Sequence, residues 1–522
     1  SDQIQRRIKM KNKRKFVLVL LLISMILPVF GTAALAEEET NIGAKGQLQE
    51  EAGFPLVDEP TSFSIASMQT TYFGPVPELY FTQWYEEQMM TNLDTLPDAA
   101  MGLDFTPSDQ VNYGSQGIFL PLQDYIEDIG VFTKEVYDEE TINEITAPDG
   151  NIYALAGIND CYHCLYPGKL WINQQWLDNL GLDYPETTEE LRTVLEAFRD
   201  EDANGNGDPD DEIPMMGATS GWNTSGYDAL LNSFVYNDYD MRVALNDGKI
   251  EFVANTDEWK EALLYVRGLI EDGLLDPASL TQTEEQFVQV AGDPNEVLVG
   301  VVSGETWWSG LGPDATDPLQ RSRQYVGLSP VEGPNGVRNT LSVAGGLATG
   351  KFVITENAED PELIFRWADG LLSEEATYVS SWGKLGEGWL EPDEGALGIN
   401  GKPALYKIPD QKGGEDDIRT DWMPNVALAA RTNDFRLGQQ LPDDEEEAMW
   451  SSEPRLYRET KEYFEPFDSE DQQVPTLMYL PEESDELAPL QTQIKTFVDE
   501  WTDNFLAGNR DIEADWDAYL NE

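Results

Sequence analysis

The sequence predicts an α/β protein built from layers of strands and helices. Three observations carry this. Apolar runs of strand length are separated along the chain by stretches of helical period. The 522 residues are 40% hydrophobic and 11% aromatic, with 14 Trp, which is enough apolar material for large buried cores and excludes wholesale disorder. At about 150 residues per domain the length accommodates roughly two to four domains.

The elements follow in order. Residues 37–60 are acidic and aperiodic, as in a mobile tether. Phe63 to Ser67 alternates like a strand, and Leu120 to Ile129 has the pattern of a short helix. Pro148-Asp149-Gly150-Asn151 is turn chemistry, followed by a candidate strand at Ile152 to Leu155. Thr187 with Glu190 three residues later forms a capping-box signature, and Leu191, Val194, Leu195 and Phe198 recur at helical spacing behind it. A second helix runs from Asp257 to Glu271 on Trp259, Leu263, Val266 and Ile270, with Gly273 as its stop. Val297 to Val302 and Tyr325 to Val331 read as strands. Asp360-Pro361 opens a helix carrying Leu363, Trp367 and Leu371. Ile494, Phe497, Val498, Trp501 and Phe505 mark a long amphipathic helix. Residues 383–486 are rich in Gly, Pro and acids, have little periodicity, and are expected to wrap the surface of a lobe.

Charge excludes several functions. Asp and Glu number 98 against 33 Lys and Arg, a formal net charge of −65. Nucleic-acid binding needs a basic face, so it is excluded, and docking on anionic lipid is disfavoured. One His and two Cys leave almost no room for His-based zinc catalysis, Ser-His-Asp triads or a disulfide-framework fold. The Gly-rich phosphate loop ending in Gly-Lys-Ser/Thr does not occur.

The first 36 residues read as an extension and a secretory signal peptide. Met10 is a second candidate start; Lys11, Lys13, Arg14 and Lys15 form the charged region, Phe16 to Val29 the apolar run, and Ala34-Leu35-Ala36 the cleavage site. The leader holds seven of the 33 basic residues and one of the 98 acids, so its removal takes the net charge from −65 to −71. No Cys follows the apolar run, so export without a lipid anchor is expected.

The loop at 202–214, DANGNGDPDDEIP, carries the strongest local motif. Asp202, Asn204 and Asn206 alternate with small residues, so their side-chain oxygens can converge on one point. Gly205 and Gly207 permit the sharp turns this requires, and Asp208, Asp211 and Glu212 can complete an all-oxygen shell. Such a shell suits a structural Ca²⁺. The loop resembles the start of an EF-hand and departs from it after the fifth position; the simpler alternative is an Asx-rich turn after the preceding helix.

Several blocks resemble the extracellular solute-binding proteins of carbohydrate ABC importers, in particular the LplA-like group. They are ITAPDGNIYALAG at 145–157, LWINQQWLDNLGLDYPETTEELRTVLEAFRDEDANGNGDPDDEIP at 170–214, YVSSWGKLGEGW at 378–389 and, more weakly, AGNRDIEADWDAYL at 507–520. The calcium loop is similar to that of alginate-type binding proteins. The resemblance implies a two-lobed type II periplasmic-binding-protein-like fold with a hinge and an inter-lobe ligand cleft. One lobe is expected from 61–158 and 340–382, the other from 159–339 and 383–522. The implied role is a monomeric, non-enzymatic receptor outside the cell that captures an oligosaccharide and delivers it to permease subunits of the importer. A secreted glycoside hydrolase or lyase, and a peptide or lipid-precursor binder on the same fold, are the alternatives. A hydrolase would need two carboxylates at fixed separation across the sugar, and 98 acids supply such pairs by chance.

Sugar rings offer apolar C–H faces and many hydroxyls, so aromatics and amides are the candidate contacts. Trp259, Trp367 and Trp501 lie on helical apolar stripes, and Trp171 and Trp176 lie within the long block; all five are expected in the core. Trp222, Trp307, Trp308, Trp382 and Trp389 lie in or beside Gly-rich loops and are the cleft candidates, with packing between lobes as the alternative for each. Asn159 and Asp160 follow the strand at the first expected hinge crossing and can either bind hydroxyls or cap a turn. A polyanionic sugar would need basic groups, for which Lys169, Arg338, Lys384 and Arg431 are candidates; the net charge favours neutral or weakly charged sugars. Cys161 and Cys164 flank His163 closely; a local disulfide, two free thiols and a metal site are all open at this point.

Overall fold

The computed structural model describes residues 56, 61–67, 91–93, 97–221, 223–312, 319–343, 345, 347–409, 428–475 and 477–522. All fall within one compact unit, Gly46–Glu522. The leader, most of the acidic tether and Trp222 lie outside the described residues.

The described strands are β1 (Thr61–Phe63), β2 (Ile65–Ser67), β3 (Thr91–Leu93), β4 (Ala99–Met101), β5 (Leu155–Asn159), β6 (Leu170–Asn173), β7 (Ile213–Met216), β8 (Val243–Asn246), β9 (Lys249–Phe252), β10 (Val299–Ser303), β11 (Tyr325–Leu328), β12 (Leu347–Ile354) and β13 (Ala430–Arg431). They form a five-stranded sheet of order β13-β5-β12-β4-β2, a four-stranded sheet of order β11-β6-β10-β7, and two small pairs, β1-β3 and β8-β9. Both larger sheets are mixed, with helices between successive strands, which is the α/β architecture expected. The chain crosses from the five-stranded sheet to the four-stranded sheet between β5 and β6 and returns between β11 and β12. β13, from the segment assigned to the second lobe, pairs in parallel with β5, matching Ala430 to Ile158 and Arg431 to Asn159.

The helices form for the reasons their sequences give. Thr187 accepts from the Glu190 backbone at 3.2 Å and Glu190 returns its carboxylate to the Thr187 backbone, so the capping box closes on the helix Thr188–Asp200. That helix buries Leu191, Val194, Leu195 and Phe198 in the core of the four-stranded sheet. Each such side chain stabilises by about 1.5–3 kcal/mol. Asp257–Glu271 is capped by Thr256 and buries Trp259, Leu263, Val266 and Ile270 in the same core. Pro361–Leu371 starts with Pro in its first turn, is capped by Asp360, and buries Leu363, Trp367 and Leu371 against Phe352 and Leu155 of the five-stranded sheet. The amphipathic C-terminal helix spans Pro481–Leu506 and packs Trp501 and Phe505 against Trp516 and Tyr519.

One strand is displaced from its sequence expectation. The ladder runs over Leu155–Asn159, not from Ile152, because the Ile152 backbone is already committed. Its carbonyl accepts from Leu122 N at 2.7 Å, and its N–H donates to the Gln123 side chain at 3.2 Å. Residues 383–486 also depart from a simple surface wrap. Part of this segment builds an aromatic cluster, in which Trp389, Tyr406 and Phe435 pack with Tyr378.

Candidate ligand-binding site

The two sheets place their strand ends at the crossing. β7 and β10 run parallel and end at Met216 and Ser303; β5 and β13 run parallel and end at Asn159 and Arg431. In open α/β sheets ligands gather beyond the carboxyl ends of such strands.

Asn159 is exposed and its side-chain oxygen accepts from Arg436 Nη1 at 3.0 Å. Arg436 also donates to Glu453 Oε1 through Nη2 at 2.8 Å. Glu453 Oε2 lies 3.7 Å from His163 Nε2, and His163 Nδ1 lies 3.9 Å from Glu305 Oε1. Asp160 accepts from Asn433 N at 3.0 Å, which fastens the crossing to the helix Asn433–Leu437. A chain of polar groups therefore runs from the exposed end of β5 to the loop after β10. Burial raises the Glu453 carboxyl, but Arg436 and His163 outweigh it and hold the group well below the ordinary carboxylate range. Burial raises Asp160 and lowers His163.

The tryptophans divide. Trp307 is fully buried, edge-on to Trp171 at 5.5 Å, with the Arg455 guanidinium 4.0 Å from its ring centre. This corrects the expectation for Trp307, because a ring with no exposed face cannot stack on a sugar. Trp389 is corrected likewise: it is buried, stacked on Tyr378 at 4.6 Å, and donates its Nε1–H to Gly383 O at 3.1 Å. Trp308 and Trp382 are half-buried and keep part of their surface. Trp171, Trp176, Trp259, Trp367 and Trp501 are all in the core.

The basic candidates are internally engaged. Lys169 is fully buried and donates to the carbonyls of His163 and Tyr166; burial lowers it to about 7. Arg338 donates to Pro330 O at 2.5 Å and lies over Phe467. Lys384 pairs with Glu387, and burial together with Arg436 lowers Arg431 to about 10.

In the loop 202–214, Gly205 and Gly207 adopt positive φ of 77° and 95°, the turns the sequence anticipates. Asn204 Oδ1 accepts from Asn206 N at 2.9 Å and Asn206 Oδ1 from Asp208 N at 2.8 Å, a run of Asx turns. Asp211 accepts from both Asn side-chain amides. Asp202 gives one oxygen to Gly207 N at 3.0 Å and Glu212 one to Asn204 N at 3.2 Å. Their other oxygens, Asp202 Oδ1 and Glu212 Oε2, are buried without a hydrogen-bond partner.

Cys161 and Cys164 are joined as a disulfide, with Cα atoms 5.1 Å apart. Arg436, Glu453 and Glu305 escaped the sequence reading. They sit in aperiodic segments and converge only through the strand pairing of β13 and the loop after β10; the readable signal was the Thr432 cap before Phe435 and Arg436.

No family model matches the chain. It is similar to the fructooligosaccharide ABC transporter substrate-binding protein FusA of Streptococcus pneumoniae, 29% identical over 454 residues, which are 82% of this chain and 77% of that protein. The solved structure of FusA in complex with kestose matches with a TM-score of 0.70 at 25% identity, covering 89% of this chain and 95% of that one. The alginate-binding protein AlgQ2, solved without calcium ion, shares the fold with a TM-score of 0.65 at 17% identity, covering 89% of this chain and 95% of that one. Fold and relatives together make the chain similar to the α/β solute-binding proteins of carbohydrate ABC importers. Within that class, FusA is a relative matched both in sequence and in structure.

Proposed function

We propose that the protein is an extracytoplasmic receptor that captures an oligosaccharide between two lobes and hands it unchanged to the permease subunits of an ABC importer. One lobe is built on the five-stranded sheet and the other on the four-stranded sheet, and the crossings between them act as the hinge. The observation that carries this reading is the polar row Asn159, Asp160 and Arg436 at the crossing, in a chain similar to a fructooligosaccharide-binding protein. Trp308 and Trp382 are the aromatic contacts with surface to offer among the described residues, and Trp222 remains a third candidate. The ligand is a neutral sugar of the kind FusA is named for. Arg436 is already neutralised by Glu453, Lys169 and Arg338 donate to backbone carbonyls, and Lys384 pairs with Glu387, so none of these four is set aside for a carboxylated polymer. The relatives act as binding proteins by name, which supports capture without catalysis and a working place at the outer face of the membrane. A thermal-shift screen tests this: kestose and related neutral fructans raise the melting temperature, and polygalacturonan does not. Stabilisation by the acidic polymer alone would overturn the ligand assignment.

The loop 202–214 is assigned a structural Ca²⁺ held by Asp202, Asn204, Asn206, Asp208, Asp211 and Glu212. Support comes from the two orphaned buried carboxylate oxygens, which a hard cation satisfies, and from the description of a solved FusA variant as an EF-hand mutant. The ion would neutralise the clustered acids and fix the turn after the helix Thr188–Asp200.

A further inference from the structure

The whole chain contains one His and two Cys, and all three lie within four residues, Cys161, His163 and Cys164. The fold adds a fourth donor. Glu305, from the loop after β10, approaches so that one ligand atom from each of the four residues lies within 4.8 Å of the others. Cys161 and His163 are buried, and Cys164 and Glu305 partly so. His163 Nδ1 is 3.8 Å from Cys164 Sγ and 3.9 Å from Glu305 Oε1. Donor atoms around a tetrahedral zinc, each about 2.0–2.3 Å from the metal, stand about 3.3–3.8 Å apart. Nε2 lies 3.4 Å from Cys161 Sγ and 3.7 Å from Glu453 Oε2, and Glu453 is itself held by Arg436. With Nδ1 as the ligand atom, a carboxylate beside the other ring nitrogen is the arrangement that orients a metal-bound His.

We propose that, in its dithiol form, this cluster binds one thiophilic divalent cation of the Zn²⁺ class, with two sulfurs, one imidazole nitrogen and one carboxylate oxygen as ligands. The disulfide seen here is the metal-free form, because bonded sulfurs cannot both serve as thiolates. The two forms interconvert through a balanced step. A tertiary phosphine and one water reduce the S–S bond to two thiols and leave the phosphine oxide. Zn²⁺ then displaces the two thiol protons and forms two Zn–S bonds. A dithiol reductant does the same work and leaves as its own cyclic disulfide. The cation would join the segment leaving β5 to the loop leaving β10, and so tie one sheet to the other at the crossing. Glu453 is a positioning residue here. The proposal is independent of which sugar the protein carries and of the calcium loop, whose all-oxygen ligands favour a hard ion.

The test is a cobalt titration of the full chain with calcium present, before and after reduction by a phosphine under anaerobic conditions. The reduced chain is expected to take up one equivalent with the intense near-ultraviolet absorption of thiolate-bound Co²⁺, bleached by an equivalent of Zn²⁺. The disulfide form is expected to show none. His163→Ala and Glu305→Gln are each expected to weaken Zn²⁺ binding at least tenfold, and Glu453→Gln by about tenfold as the supporting carboxylate. Circular dichroism keeps unfolded variants out of the comparison, and the reduced-against-oxidised comparison needs no variant. Absence of thiolate absorption in the reduced wild-type chain would overturn the site. Unchanged affinity in both His163→Ala and Glu305→Gln would overturn the four-ligand assignment.

Discussion

Trp307 and Trp308 are adjacent and differ in exposure. Trp307 is enclosed by Trp171 and Arg455, whereas Trp308 keeps part of its surface. Trp307→Ala should therefore cost about 3–5 kcal/mol of stability, as buried aromatic truncations do. Trp308→Ala and Trp382→Ala should leave the urea midpoint close to wild type and lower sugar affinity; normal sugar binding by both would remove the stacking role. Arg436 makes a second residue-scale test. It is the partner that keeps Glu453 charged beside His163, and Glu453 is about a quarter exposed. Arg436→Ala should destabilise by about 2–3 kcal/mol, less than a fully buried pair would lose, and Glu453→Gln in the same chain should recover part of it. Additive losses in urea melts would mean that the pair is not coupled. Sequence reading singles out Asn159 and Asp160 as candidates from their place after a strand. It could not find Arg436 or Glu453, because Asn159 lies 277 residues from Arg436 and the His163 that Glu453 faces lies on a distant segment of the chain.

At the scale of elements, the loop 202–214 and the helix before it were the most legible part of the chain. Thr187, Glu190 and the spacing of Leu191 to Phe198 encode that helix locally, and the glycines of the loop take the positive φ their positions require. Local signals of this kind need no long-range partner. The strand at Leu155–Asn159 was misplaced because its start is set by bonds to Leu122 and Gln123, about 30 residues earlier. Trp389 was misread for a similar reason: a Gly-rich loop suggested exposure, but Tyr378 from the preceding helix covers the ring. The loop also carries a prediction. With Ca²⁺ at a hundredfold excess over Kd, chelation should remove about 2.7 kcal/mol and lower the melting temperature. Glu212→Gln should melt near the chelated wild type and respond little to calcium. A melting curve indifferent to chelator, with no metal in elemental analysis, would refute the site.

At the scale of the molecule, strands separated by helices gave the α/β class, and the two mixed sheets bear it out. The route of the chain between sheets was less legible. β13 is two residues long and reaches the five-stranded sheet from an aperiodic acidic segment, so neither length nor period announces it. Net charge excluded nucleic acid and left the ligand open; the engaged state of the basic residues now favours a neutral sugar. The central claim is capture without chemistry. Calorimetric titration of the calcium-loaded chain with neutral fructooligosaccharides, followed by chromatography of the recovered sugar, tests it most directly. Saturable one-to-one binding with the sugar recovered intact is the expected result. Absence of binding across the series, or release of shorter products, would contradict it.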